Sequence, residues 1–406
     1  MGKELSPETR SFIDTHAEDN VQRLALQAAR YPHVDMAAAI IQIAARQKAR
    51  SKLPTWWKTN GLRYPHYLSM EQCSSEITAR YKASLIPPTL KNQGMIDLTG
   101  GFGVDFCCMA EGFSHATYVE RQTIPCELAE QNFPLLGFPE AEIINSDAVD
   151  YLKQMPKQGL IYIDPARRDS RGKKTVAISD CDPDLMKIHT LLIEKAQRVM
   201  IKLSPMLDIN LALEQLPHIC DIYIVALGGE CKELLVVMDA EVSSQNARIH
   251  SVNLSATTGK PEEELSFTRE EEANCPCLFA ASPEFCLYEP NASILKAGAF
   301  RIVAHRYGLK KLHPNSHLYT SEKPVENFPG RCFEVIAHGG FGKRELRDLQ
   351  KQLPKANLTL RNFPSSTEDL RKRMKLADGG DDYLFATTFA GGEKRWIWGR
   401  KWLSKE

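Results

Sequence analysis

Between Gly94 and Asp239 short β-rich apolar runs alternate with segments of helical periodicity, and this alternation restricts the fold more than any other feature. The runs cover residues 95–98, 116–120, 142–145, 160–164, 198–203, 222–227 and 233–238. Strands and helices in alternation call for right-handed crossovers and a mostly parallel sheet covered on both faces. Gly228-Gly229 and a few polar residues between the last two runs leave no room for a crossover helix, so an antiparallel hairpin is predicted there. Seven strands ending in such a hairpin differ from a dinucleotide-binding sheet, which stays parallel.

The chain has 406 residues, more than one hydrophobic core usually organises, so two or three domains are expected. Its hydrophobic share of 43% and charged share of 25% exclude a disordered, collagen-like or coiled-coil chain. Residues 1–70 read as a helical unit, with Val21, Leu24, Leu26, Met36, Ala39, Ile40, Ile43 and Ala44 at helical spacing. The Pro, Trp and Tyr cluster at 54–67 breaks that periodicity and is expected to be irregular. Trp56 and Trp57 within it suit buried packing better than base stacking. Residues 71–240 hold the alternating core. Residues 241–325 read as a linker with a small α/β or β-rich, ferredoxin-like unit, whose acidic runs 262–264 and 270–272 are expected to be solvated faces. Residues 326–406 read as a compact α/β module, with strands at 332–337, 357–360, 383–389 and 395–398 and helices at 343–353 and 367–374.

Lys plus Arg and Asp plus Glu both total 51, so no global field advertises nucleic acid or membrane. From Arg331 onward, however, 16 basic residues face 10 acidic ones, a local hint of a polyanionic partner. The longest small and apolar stretch, residues 36–45, is interrupted by Gln42 and is too short to span a bilayer, and the N-terminus has no basic start and apolar run of an export signal. Met1, Gly2 and Ser6 match the short myristoylation pattern formally, as chance allows. Eleven scattered cysteines then read as reduced cytoplasmic thiols. Neither Cys107-Cys108 nor Cys275-Pro-Cys277 has a second matching pair, so no metal is expected.

The chemistry concentrates in Met95-Ile-Asp-Leu-Thr-Gly-Gly-Phe-Gly-Val-Asp105, a strand that runs into a glycine-rich turn and opens a helix. Gly100, Gly101 and Gly103 let the backbone bend and approach a ligand, although such a turn can also be purely structural. Glu120, 23 residues after Asp97, ends the next strand, where a carboxylate can accept from a ribose diol. Asp147 follows the third strand and can accept from an adenine amino group. The fourth ends at Asp164-Pro165-Ala166-Arg167-Arg168-Asp169. Each acid taken singly reads equally well as a helix cap, but four in succession on the carboxyl edge point to a ligand site.

Over about residues 74–239 these motifs resemble class I S-adenosylmethionine-dependent methyltransferases. The resemblance implies a Rossmann-like seven-stranded sheet and S-adenosylmethionine as cofactor. Asp97, Thr99, Gly100, Gly101, Gly103 and Asp105 would line its methionine part, Glu120 and Arg121 the ribose, and Asp147 with Ala148 the adenine. Asp164 with Pro165 would form the catalytic edge. Tyr81 and Lys82 would fold over the cofactor, or alternatively form an exposed helix face. Ser74-Ser-Glu-Ile-Thr-Ala-Arg-Tyr-Lys-Ala83 and Gly339-Gly-Phe-Gly-Lys-Arg-Glu-Leu346 also look like bacterial methyltransferases that carry a C-terminal THUMP-like domain. THUMP domains are associated with RNA, so the resemblance implies an RNA substrate.

A sulfonium is already an activated methyl donor, so the protein must chiefly position the acceptor. Asp164 and the Pro165 carbonyl could hold an amino group, and Arg167 and Arg168 could grip a phosphate or pair with Asp169 or Asp180. Lys343 and Arg344 beside Gly339, Gly340 and Gly342 could hold a phosphate, or the glycines could simply cap a helix. Uridine-carbon methyltransferases with a comparable Asp-Pro-Pro-Arg motif carry a nucleophilic Cys after the fifth strand. This chain has Lys202-Leu-Ser-Pro-Met206 there, which disfavours that reaction. The aromatic residue that stacks a flipped adenine is missing too. A nicotinamide oxidoreductase would need a glycine where Phe106 stands. A catalytically silent RNA-binding protein, or a methyltransferase for a small molecule or a protein, remains the alternative.

Overall fold

The computed structural model describes residues 5–167, 178–242 and 244–402. They divide into two compact units, one of Met1–Ile222, Glu233–Ala247 and Ser255–Lys260, the other of Tyr223–Lys232, Arg248–Leu254 and Pro261–Glu406.

The first unit opens with helices α1 (Pro7–Thr15), α2 (Val21–Leu26) and α3 (Met36–Lys52). Ser6, Asn20 and Asp35 cap them by accepting the amide hydrogens of Thr9, Arg23 and Ala38. Phe12, Ile13, Leu24, Met36, Ala39 and Ile43 form their core. Leu26, placed on the same stripe by spacing, is instead 89% exposed, because α2 stops after six residues and turns its end to water. The 54–67 cluster is more regular than expected: Pro54 starts the short helix α4 (Pro54–Lys58). Trp56 is buried there, its ring 4.6 Å from that of Phe102, while Trp57 lies beneath the Arg50 guanidinium. Helices α5 (Tyr67–Gln72) and α6 (Glu76–Ser84) lead into the core.

The larger sheet has nine strands. Seven of them are β1 (Met95–Asp97), β2 (Ala116–Glu120), β3 (Glu142–Asn145), β4 (Gln158–Ile163), β5 (Ala196–Leu203), β6 (Ile219–Leu227) and β7 (Glu230–Asp239). Their order is β3-β2-β1-β4-β5-β7-β6. Neighbours from β3 to β5 are parallel, and β7 runs antiparallel to β5. The predicted hairpin turns at Gly228 (φ 63°) and Gly229 (φ 81°), the two positive φ values that a tight two-residue turn requires. Its arms exceed the apolar runs at both ends, since pairing carries Glu230, Cys231 and Lys232 along. Met95, Ile96, Leu160, Ile161, Val199, Met200, Ile201, Val236 and Met238 are all but inaccessible, as a sheet covered on both faces demands. The crossover helices are α7 (Val104–Ala110), α8 (Thr123–Leu135), α9 (Ala148–Gln154), α10 (Leu185–Lys195) and α11 (Ile209–Gln215).

One charged cluster ties these elements together. The fully buried Lys82 ammonium on α6 donates to both oxygens of Glu233 on β7 at 2.8 Å and sits 3.1 Å from Asp105 Oδ1 on α7. The Ser74 hydroxyl and the Tyr162 phenol on β4 donate to Asp105 Oδ2 at 2.7 and 2.9 Å.

In the second unit β8 (Arg248–Leu254) and β9 (Pro261–Thr268) pair antiparallel, so part of the expected linker is regular sheet. Helix α12 (Arg269–Asn274) follows. The acidic run 270–272, in its first turn, is not merely solvated. Glu271 forms a capping box with Thr268, and Glu272 accepts the amide hydrogens of Phe300, Arg301 and Ile302 at the start of a later helix, Phe300–Arg306. An eight-stranded sheet completes the unit. Its C-terminal part has strands Gly330–Gly340, Asn357–Arg361, Asp382–Thr388 and Lys394–Lys401 and helices Lys343–Gln352 and Thr367–Met374. Leu346, Leu349, Leu370 and Met374 of those helices pack on Leu384, Trp396 and Trp398. Glu289, 3% exposed, accepts from the guanidinium groups of both Arg331 and Arg361. No helix among the described residues is long and apolar enough to cross a membrane.

Lys82→Met should leave Asp105 and Glu233 buried without their cation and cost roughly 3–5 kcal/mol, read as a lower denaturant midpoint. An unchanged midpoint would show that the cluster is dispensable.

Candidate active site at the carboxyl edge of the parallel strands

The glycine turn after β1 has no tolerance for side chains. A Cβ on Gly100 would lie 2.0 Å from the Tyr118 ring, and one on Gly103 2.6 Å from Phe133. Gly101 and Gly103 take left-handed φ values of 54° and 83°. Tyr118 locks the turn from below, its phenol donating to the Gly101 carbonyl at 2.5 Å. Phe102 at the tip packs against Trp56, with Tyr64 at 6.1 Å on its other flank.

The acids ring this turn. Asp97, 1% exposed, accepts from the Thr99 amide at 2.9 Å. Glu120 accepts from the Gly101 amide at 3.1 Å and the Gln122 amide at 2.8 Å. The Asp164 amide donates to Thr99 Oγ1 at 2.6 Å, which joins the ends of β1 and β4. Two sets of hydrogen bonds, one joining Asp97, Thr99 and Asp164 and the other Gly101 and Glu120, thus lie along one strand edge. Asp147 caps α9 through the Val149 and Asp150 amides, next to a buried Ala148, and the adjoining Ser146 amide donates to the Glu120 carbonyl. Arg121 is more than half exposed and pairs with Asp182 at 2.8 Å. Pro165 is buried beside Asp164.

Other expected positions fall elsewhere. Tyr81 is buried in α6, and Lys82 lies inside the charged cluster, not on an exposed helix face. The reason is that Glu233 and Asp105 supply the counter-charges in the interior. The Arg167 backbone pairs with Cys181, and Arg168 and Asp169 lie outside the described residues. Lys343 and Arg344 are exposed in the second unit. The Gly340 and Gly342 amides beside them are already taken by the Glu345 carboxylate, at 2.7 and 3.3 Å, so the glycines cap their own helix.

Sequence reasoning assigned no role to Lys202, although a charged residue interrupting the apolar run of β5 was a visible signal. Its ammonium donates to Asp164 Oδ2 at 2.5 Å. Burial alone would lower the Lys202 pKa, but Asp164, Asp105 and Glu233 hold it above the usual lysine range. Cys73 lies within electrostatic reach of Lys52, Asp105 and Lys202. Burial raises its thiol, which makes it a poor nucleophile.

Five carboxyl groups, Asp97, Asp105, Glu120, Asp164 and Glu233, thus face two ammonium groups, Lys82 and Lys202. Burial pushes Asp97 well above the usual carboxylate range, against the Thr99 hydrogen bond, and the charges of Asp105, Asp164 and Glu120 push it further. An edge with more acids than cations, beside a turn where Gly101 alone leaves room for close backbone approach, suits a cationic ligand.

Residues 287–329 match a ferredoxin-like domain family and residues 330–401 a THUMP domain-like family. A crystal structure from Porphyromonas gingivalis W83, described as a "putative methyltransferase", shares 37% identity, covers 97% of each chain and superposes with a TM-score of 0.84. The chain belongs to that protein's family. It joins a Rossmann-like α/β sheet unit, which follows that protein along nearly its whole length, to a ferredoxin-like and a C-terminal THUMP-like domain. Shorter structures described as "putative" methyltransferases align more remotely. One from Escherichia coli shows 16% identity over 44% of this chain and 92% of its own, with a TM-score of 0.32. One from Listeria monocytogenes shows 10% identity over 61% and 94%, with a TM-score of 0.37. No protein of curated function matches the chain by sequence.

The raised Asp97 carboxyl has a measurable consequence. The folded protein keeps this proton to a higher pH than the unfolded chain, so stability falls as pH climbs from the ordinary value of 3.8 toward the raised one. Asp97→Asn should remove that part of the slope in denaturant titrations across this range; parallel wild-type and variant curves would contradict it.

Proposed function

We propose that this protein transfers a methyl group from S-adenosylmethionine to RNA. The observation that carries the reading is the acid-lined glycine turn joined by hydrogen bonds to the Asp164-Pro165 tip. When bound, the cofactor supplies a methyl group already activated on a sulfonium. Asp97 and the backbone of Thr99, Gly100, Gly101 and Gly103 would hold its methionine part. Glu120 would hold the ribose, since each of its oxygens has a lone pair left after accepting one amide. Asp147, Ala148 and Arg121 would border the adenine, and Tyr81 would close the near wall. Asp105 and Lys82 act one step back, by fixing α6 and α7 around the turn.

Asp164 and the Pro165 carbonyl would orient a nitrogen acceptor, and the Asp164 carboxylate would receive its proton. Ser204 after β5 and the half-buried Cys73 thiol, raised by burial, argue against covalent activation of a uridine carbon. RNA is supported by the THUMP domain-like match at 330–401 and by the exposed cations Lys343, Arg344, Arg347, Lys351, Lys372, Arg373 and Lys375 in that stretch. Arg167 and Arg168 would add phosphate contacts. No group of metal-ligating side chains occurs among the described residues, and the reaction calls for none. Eleven cysteine thiols suit the reducing cytoplasm.

Calorimetric titration should show micromolar binding of S-adenosylmethionine and none of NAD. Asp97→Ala and Glu120→Ala should each weaken that binding at least about tenfold. Asp164→Ala should leave binding intact and abolish methyl transfer to RNA from cells lacking the gene. Unchanged binding in both of the first two variants, or full turnover in the third, would overturn the corresponding assignment.

A further inference from the structure

Lys202 stands one residue before the end of β5, and Asp164 one residue beyond the end of β4. The pairing of β4 with β5 sets Ile163 opposite Ile201, which brings the two charged residues side by side. The Lys202 side chain is 14% exposed and that of Asp164 37%, so the pair has an inner cation and an outer acid that water reaches. An ammonium carries three N–H donors. Among the described residues only Asp164 Oδ2 accepts from this one, and Asp164 Oδ1 accepts from nothing. The pair therefore offers a spare donor and a spare acceptor next to each other, at the place where the acceptor nitrogen is expected.

Resting on the methyltransferase reading above, we infer that the Asp164–Lys202 pair reads the edge of the acceptor base and selects guanine. Guanine sets a carbonyl oxygen beside two N–H donors, so the ammonium meets the carbonyl while the carboxylate takes the neighbouring hydrogens. A cation against the guanine carbonyl is the commonest base-specific contact, whereas adenine is read mostly by the neutral amides of Asn and Gln. Adenine offers one amino donor beside a ring nitrogen. A cation at that ring nitrogen would draw electron density from the amino group that has to attack. Cytosine has the same handicap, because its carbonyl lies on the far side of the ring nitrogen. The sequence lacks the aromatic residue that stacks a flipped adenine, and the ion pair takes its place as the reading element.

The test uses the full chain in two arms. In the first, GMP and AMP are titrated into the protein saturated with S-adenosylhomocysteine, which measures recognition without turnover. GMP should bind about tenfold tighter. Lys202→Met should bring the two within about twofold of each other, and Lys202→Arg should restore the preference, with affinity for S-adenosylhomocysteine held within about twofold throughout. In the second arm a random-sequence single-stranded RNA 20-mer is incubated with S-adenosylmethionine, digested, and its nucleosides are identified by mass spectrometry. Methyl on guanosine is the expected result. AMP binding as tightly as GMP, or methyl on adenosine, cytidine or uridine, overturns the guanine reading and leaves the methyltransferase reading standing. Failure of the wild type to bind S-adenosylhomocysteine overturns both. A Lys202→Met variant that loses S-adenosylhomocysteine binding while Lys202→Arg keeps it makes Lys202 a scaffold residue and also overturns the inference.

Discussion

An ammonium group that never meets water organises the candidate site. Lys82 could not stay charged in the interior alone, and neither could Glu233 or Asp105, so the three stabilise one another or none is tolerated. Their mutual dependence fixes α6, α7 and β7 relative to the parallel strands. The Asp105 phenol and hydroxyl partners, Tyr162 and Ser74, extend that grip to β4 and to the segment before α6. The glycine turn opens directly into α7, so a shift of Asp105 would be a shift of the turn. The cluster also reaches Lys202, whose charge Asp105 and Glu233 help to maintain from a distance.

The charge balance of the edge then explains what it is suited to hold. Acids outnumber cations there, and burial together with the neighbouring acids raises the Asp97 carboxyl, which eases part of the excess. A cationic ligand relieves it differently, by its own charge. On the proposed reading a sulfonium would be favoured over its neutral thioether product by the same imbalance, since only the former repairs it. The turn itself contributes shape and not charge, with Tyr118 and Phe133 filling the space that side chains at Gly100 and Gly103 would need.

Much of this was legible in the sequence because it is local. A strand of three residues, a glycine turn and the acid 23 positions later lie within one βαβ unit, and the Gly228-Gly229 hairpin is closed by its own turn chemistry. What stayed hidden depends on partners far along the chain. Lys82 and Glu233 are 151 residues apart, and no periodicity announces their meeting. Lys202 could be seen as an oddity in an apolar strand, but its partner is known only once β4 and β5 are in register. Glu272 looked like surface charge because the orphan amides it satisfies open a later helix, Phe300–Arg306. Leu26 fitted a stripe whose helix ends too soon for the stripe to matter.

The contact beneath Gly100 has a consequence beyond this molecule. Because the Tyr118 ring occupies the volume of the missing Cβ and its phenol holds the Gly101 carbonyl, positions 100 and 118 cannot drift independently. A relative that acquired alanine at the first would need a smaller residue at the second, and would then lose the hydroxyl that braces the turn. Divergence at this spot must therefore pass through paired changes or none. Across distant relatives, glycine with tyrosine at these two places should travel as a single inherited unit even where the surrounding turn has been rewritten.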